Sequence, residues 1–164
     1  MGETNIAGAR LNYEQIAREV CKDVGYDAEE KGLDYKSMSV LVNVESQDEN
    51  IANAVHKTKS EDDMGAGDQG LMCGYATDEW DTVTLHPYSH YLANLICEEM
   101  AIARKNRSIP WLRPDCKSQV IVEYKKEGNN IKPVRIYNIL ISTQHDLTVT
   151  NEEINTVLTE QIIK

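Results

Sequence analysis

Residues 119–124 and 134–142 place the strongest constraint on what this chain can fold into. Val120, Val122 and Tyr124 alternate with Gln119, Ile121 and Glu123, the period of a strand with two distinct faces. Val134 to Ser142 is β-branched and apolar, and Gly128-Asn129-Asn130 between the runs supplies a turn. Together they predict a β-hairpin. An apolar sheet face has to be buried against another layer.

Helices are the natural cover. Asn12 to Val24 reads as one, with Asn12 as N-cap, Gln15 three residues on, and Tyr13, Ile16, Ala17, Val20 and Val24 on one face. Gly25 follows where a left-handed residue closes a helix. His86 to about Asn106 reads as a second helix, striped by Tyr88, Leu92, Leu95, Ile96, Glu99 and Ala103, with Pro87 in its first turn. Thr150-Asn151-Glu152-Glu153 is a capping box opening a last helix, with Ile154, Val157, Leu158 and Ile162 inward. Met38 to Glu45 alternates and predicts a further strand, and Lys57–Gly70 reads as a loop. The fold class expected is α+β, a layered sandwich of mixed or antiparallel sheet with helices on one face.

Composition excludes several functions. The 164 residues carry 17 basic and 27 acidic side chains, a net charge of −10, which argues against a general nucleic-acid binder. A single nucleotide needs only a locally placed cation, so that partner stays open. No apolar run approaches the ~20 residues of a membrane span. The start, Met-Gly-Glu-Thr-Asn, shows no secretion signal, and Ile6 stands where a myristoylation motif wants Ser or Thr. Cys21, Cys73, Cys97 and Cys116 are widely spaced, with no C-x-x-C pair. The expectation is a cytoplasmic protein with reduced thiols, most of them buried, and no metal site.

Gly65-Ala66-Gly67-Asp68-Gln69-Gly70 satisfies the bare pattern G-x-G-x-x-G. A dinucleotide site needs an apolar strand before it and a helix opening at the last glycine. Here the polar run Lys57-Thr58-Lys59-Ser60-Glu61-Asp62-Asp63 precedes, and Leu71 to Glu79 follows as a short, glycine-broken, strand-like stretch. The Rossmann reading is rejected in favour of a mobile glycine loop with Asp68 at its centre.

The run Gly65–Glu79 closely resembles the signature loop of S-adenosylmethionine synthase (methionine adenosyltransferase). Pro110 to Val120, Val122-Glu123-Tyr124, Pro133 to Ile136 and Ile141 to Asp146 resemble later blocks of that family, in the same order and at similar spacing. The resemblance covers essentially the whole chain. It implies residues 1–60 as the tail of the family's N-terminal domain and 61–164 as the central domain with the gating loop. It further implies S-adenosylmethionine formation from methionine and ATP, with release of phosphate and diphosphate, in a homo-dimer or higher oligomer whose subunits pack sheet to sheet and share active sites.

By the same resemblance Lys117 matches a triphosphate-contacting lysine, and is the candidate catalytic residue. Asp115 matches an aspartate on the adenosine part of ATP, and Asp68 one that meets the adenosyl or methionine moiety when the loop closes. Glu3 and Gln47 match methionine-binding residues, and Gly65, Gly67, Asp68, Gln69 and Gly70 the gating loop. Strand periodicity puts Asp115 and Lys117 on one face, after a turn stiffened by Pro110 and Pro114. Plainer alternatives are an exposed strand-start lysine, a turn-capping aspartate and an acidic loop tip.

The chemistry asks for in-line alignment and stabilisation of a leaving triphosphate, since sulfur needs no general base. Mg2+ and K+ belong to the complete enzyme. The family's His-Pro-Asp-Lys motif, its potassium-binding glutamate and its glycine-rich phosphate segments have no counterpart in these residues, so the chain alone is expected to be inactive. It reads as an excised fragment, a truncated gene model or a shortened relative. The family usually reads Gln-Ser-Pro-Asp-Ile where this chain has Gln47-Asp48-Glu49-Asn50-Ile51, phenylalanine where it has Cys73, and threonine where it has Trp80. The last two suggest repacking around the loop. A non-catalytic homologue serving as a binding or scaffold subunit is the alternative function. His56 and His145 are read as structural.

Overall fold

The computed structural model describes residues 2–4, 11–57, 59–128 and 130–163, at Gly2 and Glu3 for the backbone alone. Of the residues invoked above, Met1, Asn5, Ile6, Thr58 and Asn129 lie outside the described set, as does the side chain of Glu3.

The hairpin is the largest element. Strand β5 (Leu112–Glu127) pairs antiparallel with β6 (Asn130–His145), from Leu112 opposite His145 to Glu127 opposite Asn130. Both strands run further than the alternating cores alone predict. Gly128, with φ of 64°, takes the left-handed conformation of the turn. A bulge between Ile121 and Val122 leaves Tyr137 unpaired and bends the ribbon.

Along β5 burial alternates. Leu112, Val120 and Val122 are buried, with Cys116 and Tyr124 partly so, while Asp115, Lys117, Gln119, Ile121 and Glu123 are exposed. The inner face is covered by the helix Tyr88–Lys105, which contributes Ile96, Met100 and Ala103. The helix Asn151–Gln161 adds Leu158, and Ile109, 1% exposed, closes the cluster from the connection between helix and strand. These eight residues are one core. The architecture is α+β with helices on one face of an antiparallel sheet, as expected.

Four smaller units precede it. The N-terminal strand β1 (Gly2–Thr4) pairs parallel with β4 (Val44–Ser46). Helix α1 (Tyr13–Val24) begins where Asn12 accepts from the Gln15 amide and ends at Gly25, whose φ of 109° is left-handed. A Cβ at Gly25 would meet only the Arg104 guanidinium, the end of a flexible side chain that can move aside, so it is the left-handed φ that requires glycine here. A short hairpin of β2 (Asp27–Ala28) and β3 (Leu33–Asp34) follows, and helix α2 is Glu49–Val55. We label Tyr88–Lys105 α3 and Asn151–Gln161 α4.

Four expectations need correction. Met38 to Glu45 is not a strand: only Val44 and Glu45 join β4, and Leu41 is 98% exposed. Alternation cannot make a ladder without a partner, and among the described residues β1 offers three. Leu71 to Glu79 is likewise irregular, with Leu71 93% exposed and no strand beside it among the described residues. The helix at Glu49–Val55 was not anticipated, although Asp48 caps it by accepting from the Asn50 and Ile51 amides. The thiols are all free, but none is fully buried, and Cys73 is exposed.

If the inner face of β5 is the structural core, Met100→Ala should cost about 2–5 kcal/mol of unfolding free energy. Val83→Ala, at a side chain 87% exposed, should stay within about 0.5 kcal/mol. Urea unfolding followed by circular dichroism reads both; equal losses would remove the distinction.

Candidate functional site

Asp115 and Lys117 sit on the outer, exposed face of β5, two residues apart and therefore side by side. Lys117 lies opposite Ser142 on β6. Together with Ser142, Thr143 and Gln144 they line a cleft of about 320 Å³. The cleft thus offers a carboxylate, an ammonium, two hydroxyls and an amide on a rigid two-stranded floor.

Two interactions fix that floor. At the open end of the hairpin Arg113 Nη2 donates to Asp146 Oδ2 at 2.5 Å, with the arginine side chain only 12% exposed. The Asp146 amide donates to the Trp111 carbonyl at 2.9 Å. The carboxyl of Asp146 is held below its usual range, first by the Thr148 backbone amide and hydroxyl and then by the Arg113 charge. Gln144 Nε2 donates at 3.0 Å to the carbonyl of Lys31, in the turn between β2 and β3, tying the N-terminal hairpin to the cleft wall. Its Oε1 is buried and has no partner among the described residues. Ser142, Thr143 and Gln144 belong to a quoted sequence block but had drawn no role, because only the cross-strand register puts them beside Lys117.

Asp68 lies elsewhere, on an exposed bend, its Oδ1 accepting from the Gln69 amide at 2.7 Å; it does not line this cleft. Gly65 is pinned: its amide donates to the Val55 carbonyl, and an added Cβ would fall 2.9 Å from the Ala54 carbonyl oxygen. Trp80 holds the other end. Its Nε1 donates to the His86 carbonyl at 2.7 Å, and its ring lies 4.2 Å from that of Tyr91. Trp80 is thus packed against the start of α3, whereas Cys73 is exposed.

Gln47 and Glu3 share one small sheet. Glu3 is opposite Glu45, and the Gln47 amide donates to the Thr4 carbonyl at 3.0 Å. Gln47 does not line the cleft of Asp115 and Lys117. A larger cleft, about 800 Å³, is at the turn end of the hairpin, between Tyr75, Glu79, Ser89, Tyr124 and Lys132. There Glu79 Oε1 accepts from the Tyr88 amide at the start of α3 and from the Tyr124 hydroxyl. Burial, and then this carboxylate, push the Tyr124 phenol up to about 12. Glu79 thus serves as a helix-start anion and a strut. His145 Nδ1 lies 2.8 Å from the Asp146 carbonyl oxygen, a structural contact. Among the described residues no group of three or more His, Cys, Asp or Glu is arranged to hold a metal ion, and no helix is long and apolar enough to cross a membrane.

A helix-backed antiparallel hairpin with a carboxylate and an ammonium side by side on its open face defines an α+β domain that presents a polar site on one side of a sheet. Residues 63–164 match the family model described as S-adenosylmethionine synthetase, central domain. The chain belongs to the S-adenosylmethionine synthetase family.

The depressed Asp146 carboxyl carries a pH dependence with a definite sign. Its contribution is present above the unfolded carboxyl value of about 3.9 and is lost as pH falls through the lower folded value. Asp146→Asn should therefore flatten the acid limb of stability below about pH 4 relative to the parent. Urea midpoints taken across that limb test it, and superimposable limbs would refute the linkage.

Proposed function

We propose that this chain contributes part of the ATP and methionine pocket of an S-adenosylmethionine synthase, which makes S-adenosylmethionine from methionine and ATP. The observation that carries the reading is the cleft shared by Asp115 and Lys117 within a chain of that family. In this reading Lys117 neutralises the departing triphosphate and Asp115 holds the adenosine portion. Asp68, carried by the loop Gly65–Gly70, reaches the adenosyl or methionine moiety on closure. Glu3 and Gln47 contact methionine, and residues 1–60 and 61–164 belong to two successive domains.

The described residues do not fit a resident magnesium ion, since no acidic cluster is arranged for one. Mg2+ and K+ would be held by residues outside this set. The chain's own share of the chemistry is positioning and charge. A lysine on a β-strand floor keeps its ammonium at a fixed place, so its attraction grows as negative charge develops on the leaving group. The exposed acid at Asp115 can accept from ribose hydroxyls without a burial penalty.

One observation also bears on the scaffold alternative. The added negative charge in Gln47-Asp48-Glu49-Asn50 is spent on capping α2, through Asp48, and so does not by itself speak against a methionine pocket.

Lys117→Met is the decisive substitution. With the family's remaining segments supplied in fusion, it should raise the barrier by about 2–4 kcal/mol, losing a charge-assisted contact that strengthens in the transition state. That is roughly a 30- to 1000-fold loss in kcat. Lys117→Arg should retain part of the rate, because a planar fork does not reproduce a point charge. Gln69→Ala should change turnover only modestly. Near-parental turnover of Lys117→Met would remove Lys117 from the site. The unfused chain should form no S-adenosylmethionine from ATP and methionine, and measurable turnover in a contaminant-free preparation would overturn that.

The reading also includes a homo-dimer packed sheet to sheet. Ile121 and Leu140 stand exposed on the outer face of the hairpin, which also carries Lys117. Sedimentation equilibrium at micromolar concentration should give a self-associated species. Leu140→Asp should shift it to monomer, and a monomeric parent protein would count against this assembly.

A further inference from the structure

We propose that His86 and His90 form a two-histidine chelate for a late first-row divalent cation such as zinc, clamping the segment that enters α3 to the first turn of that helix. The two ring centroids lie 5.2 Å apart, with His86 half-buried and His90 exposed. Rotation about Cβ–Cγ turns a ring's nitrogens but leaves its centre in place, so the centroid separation decides whether both rings can reach one ion. With metal–nitrogen bonds of about 2.0–2.1 Å, the ion lies roughly 3.2 Å from each ring centre. Centres 5.2 Å apart then subtend about 109° at the ion, the tetrahedral angle that zinc takes. Neither imidazole is committed elsewhere: among the described residues no hydrogen bond or ion pair engages either ring.

Backbone strain accompanies the pairing. Leu85, immediately before His86, holds a φ of 53°, a left-handed conformation costly for a residue with a side chain. Two hydrogen bonds keep it there. The Thr77 amide donates to the Leu85 carbonyl at 2.9 Å, and the Trp80 indole to the His86 carbonyl at 2.7 Å. Pro87 then leads into α3, and His90, in its first turn, comes round beside His86. The Tyr91 ring stands edge-on to His86 with centroids 6.3 Å apart, and Trp80 backs Tyr91 in turn. Solvent completes the coordination shell on the exposed side of His90. Imidazole suits zinc, nickel and copper, whereas magnesium and calcium take oxygen ligands. The site therefore differs in chemistry from any that Mg2+ would occupy, and it stands whatever the Asp115–Lys117 cleft binds.

The test follows the imidazole proton signals of the four histidines by NMR as zinc chloride is added to the full chain. Cys73→Ser is present throughout, so that the exposed thiol does not compete for the ion. His86→Gln and His90→Gln assign the two signals. The expected result is that the His86 and His90 signals move together and saturate at one zinc per chain, and that a chelator returns them. The same concentration of magnesium chloride should move neither. By calorimetry, either glutamine variant should weaken zinc binding at least about 10-fold, because a single remaining imidazole loses the gain from tethering two ligands. The double variant should bind no more weakly than either single one. Signals that stay still, that saturate separately, or that move equally with magnesium would overturn the proposal, as would an unchanged affinity in His90→Gln. Circular dichroism checks folding of both variants; if His86→Gln does not fold, the exposed His90→Gln and the parent titration decide.

Discussion

Everything positioned in this molecule depends on α3 lying against the inner face of β5. Among the described residues, eight of the nine buried apolar side chains belong to the cluster formed there, and none of the buried residues is polar. The hairpin alone would be a marginal two-stranded ribbon, since such ribbons need a covering element to persist in water. Burial of Leu112, Val120 and Val122 by Met100, Ile96 and Leu158 supplies it. Once the even-numbered residues of β5 are held inward, the odd-numbered ones must face outward. Asp115 and Lys117 are exposed side by side because Leu112 and Val120 are not.

The same constraint explains why the polar contacts gather at the hairpin ends. In the middle, packing fixes the strands. At the open end, where β5 leaves the core, Arg113 and Asp146 take over, and at the turn end Glu79 ties Tyr124 to the start of α3. Each of these charges is spent on geometry. Lys117 differs in having no ion-pair partner in the contacts that bind the hairpin, so its charge faces the cleft.

How much of this was legible depended on whether the signal was local. The capping residues Asn12 and Thr150 act through amides three residues away, and both accept those amides. The alternation of Val120, Val122 and Tyr124 reports a buried face, and it marks one. Met38 to Glu45 alternates equally well but fails, because a strand requires a partner, and among the described residues β1 pairs only with Val44 to Ser46. The cleft was half legible. The i, i+2 relation of Asp115 and Lys117 is a property of one strand, whereas Ser142, Thr143 and Gln144 join them through the register, which a bulge at Ile121 shifts. Glu79 and Gln144 were invisible, since each acts on a residue more than forty positions away or on a distant backbone carbonyl.

The glycine loop separates two uses of glycine that a motif lumps together. At Gly65 the constraint is steric: the Ala54 carbonyl occupies the space a side chain would need, and the Val55 carbonyl holds the amide. At Gly70 and Gly74 nothing lies within 4 Å, so no neighbour forbids a side chain. Their value is freedom of the backbone, which matters only for a segment that changes conformation. From Gly67 to Gly74 every residue is exposed, and the segment is tied down at its flanks, by Gly65 on α2 and Trp80 on α3. A run anchored at both ends and free between them has the mechanical form that the proposed gating role requires. Because Trp80 anchors to the same helix that packs beneath Lys117, a loop moving about these two points is referenced to the floor of the cleft it would close.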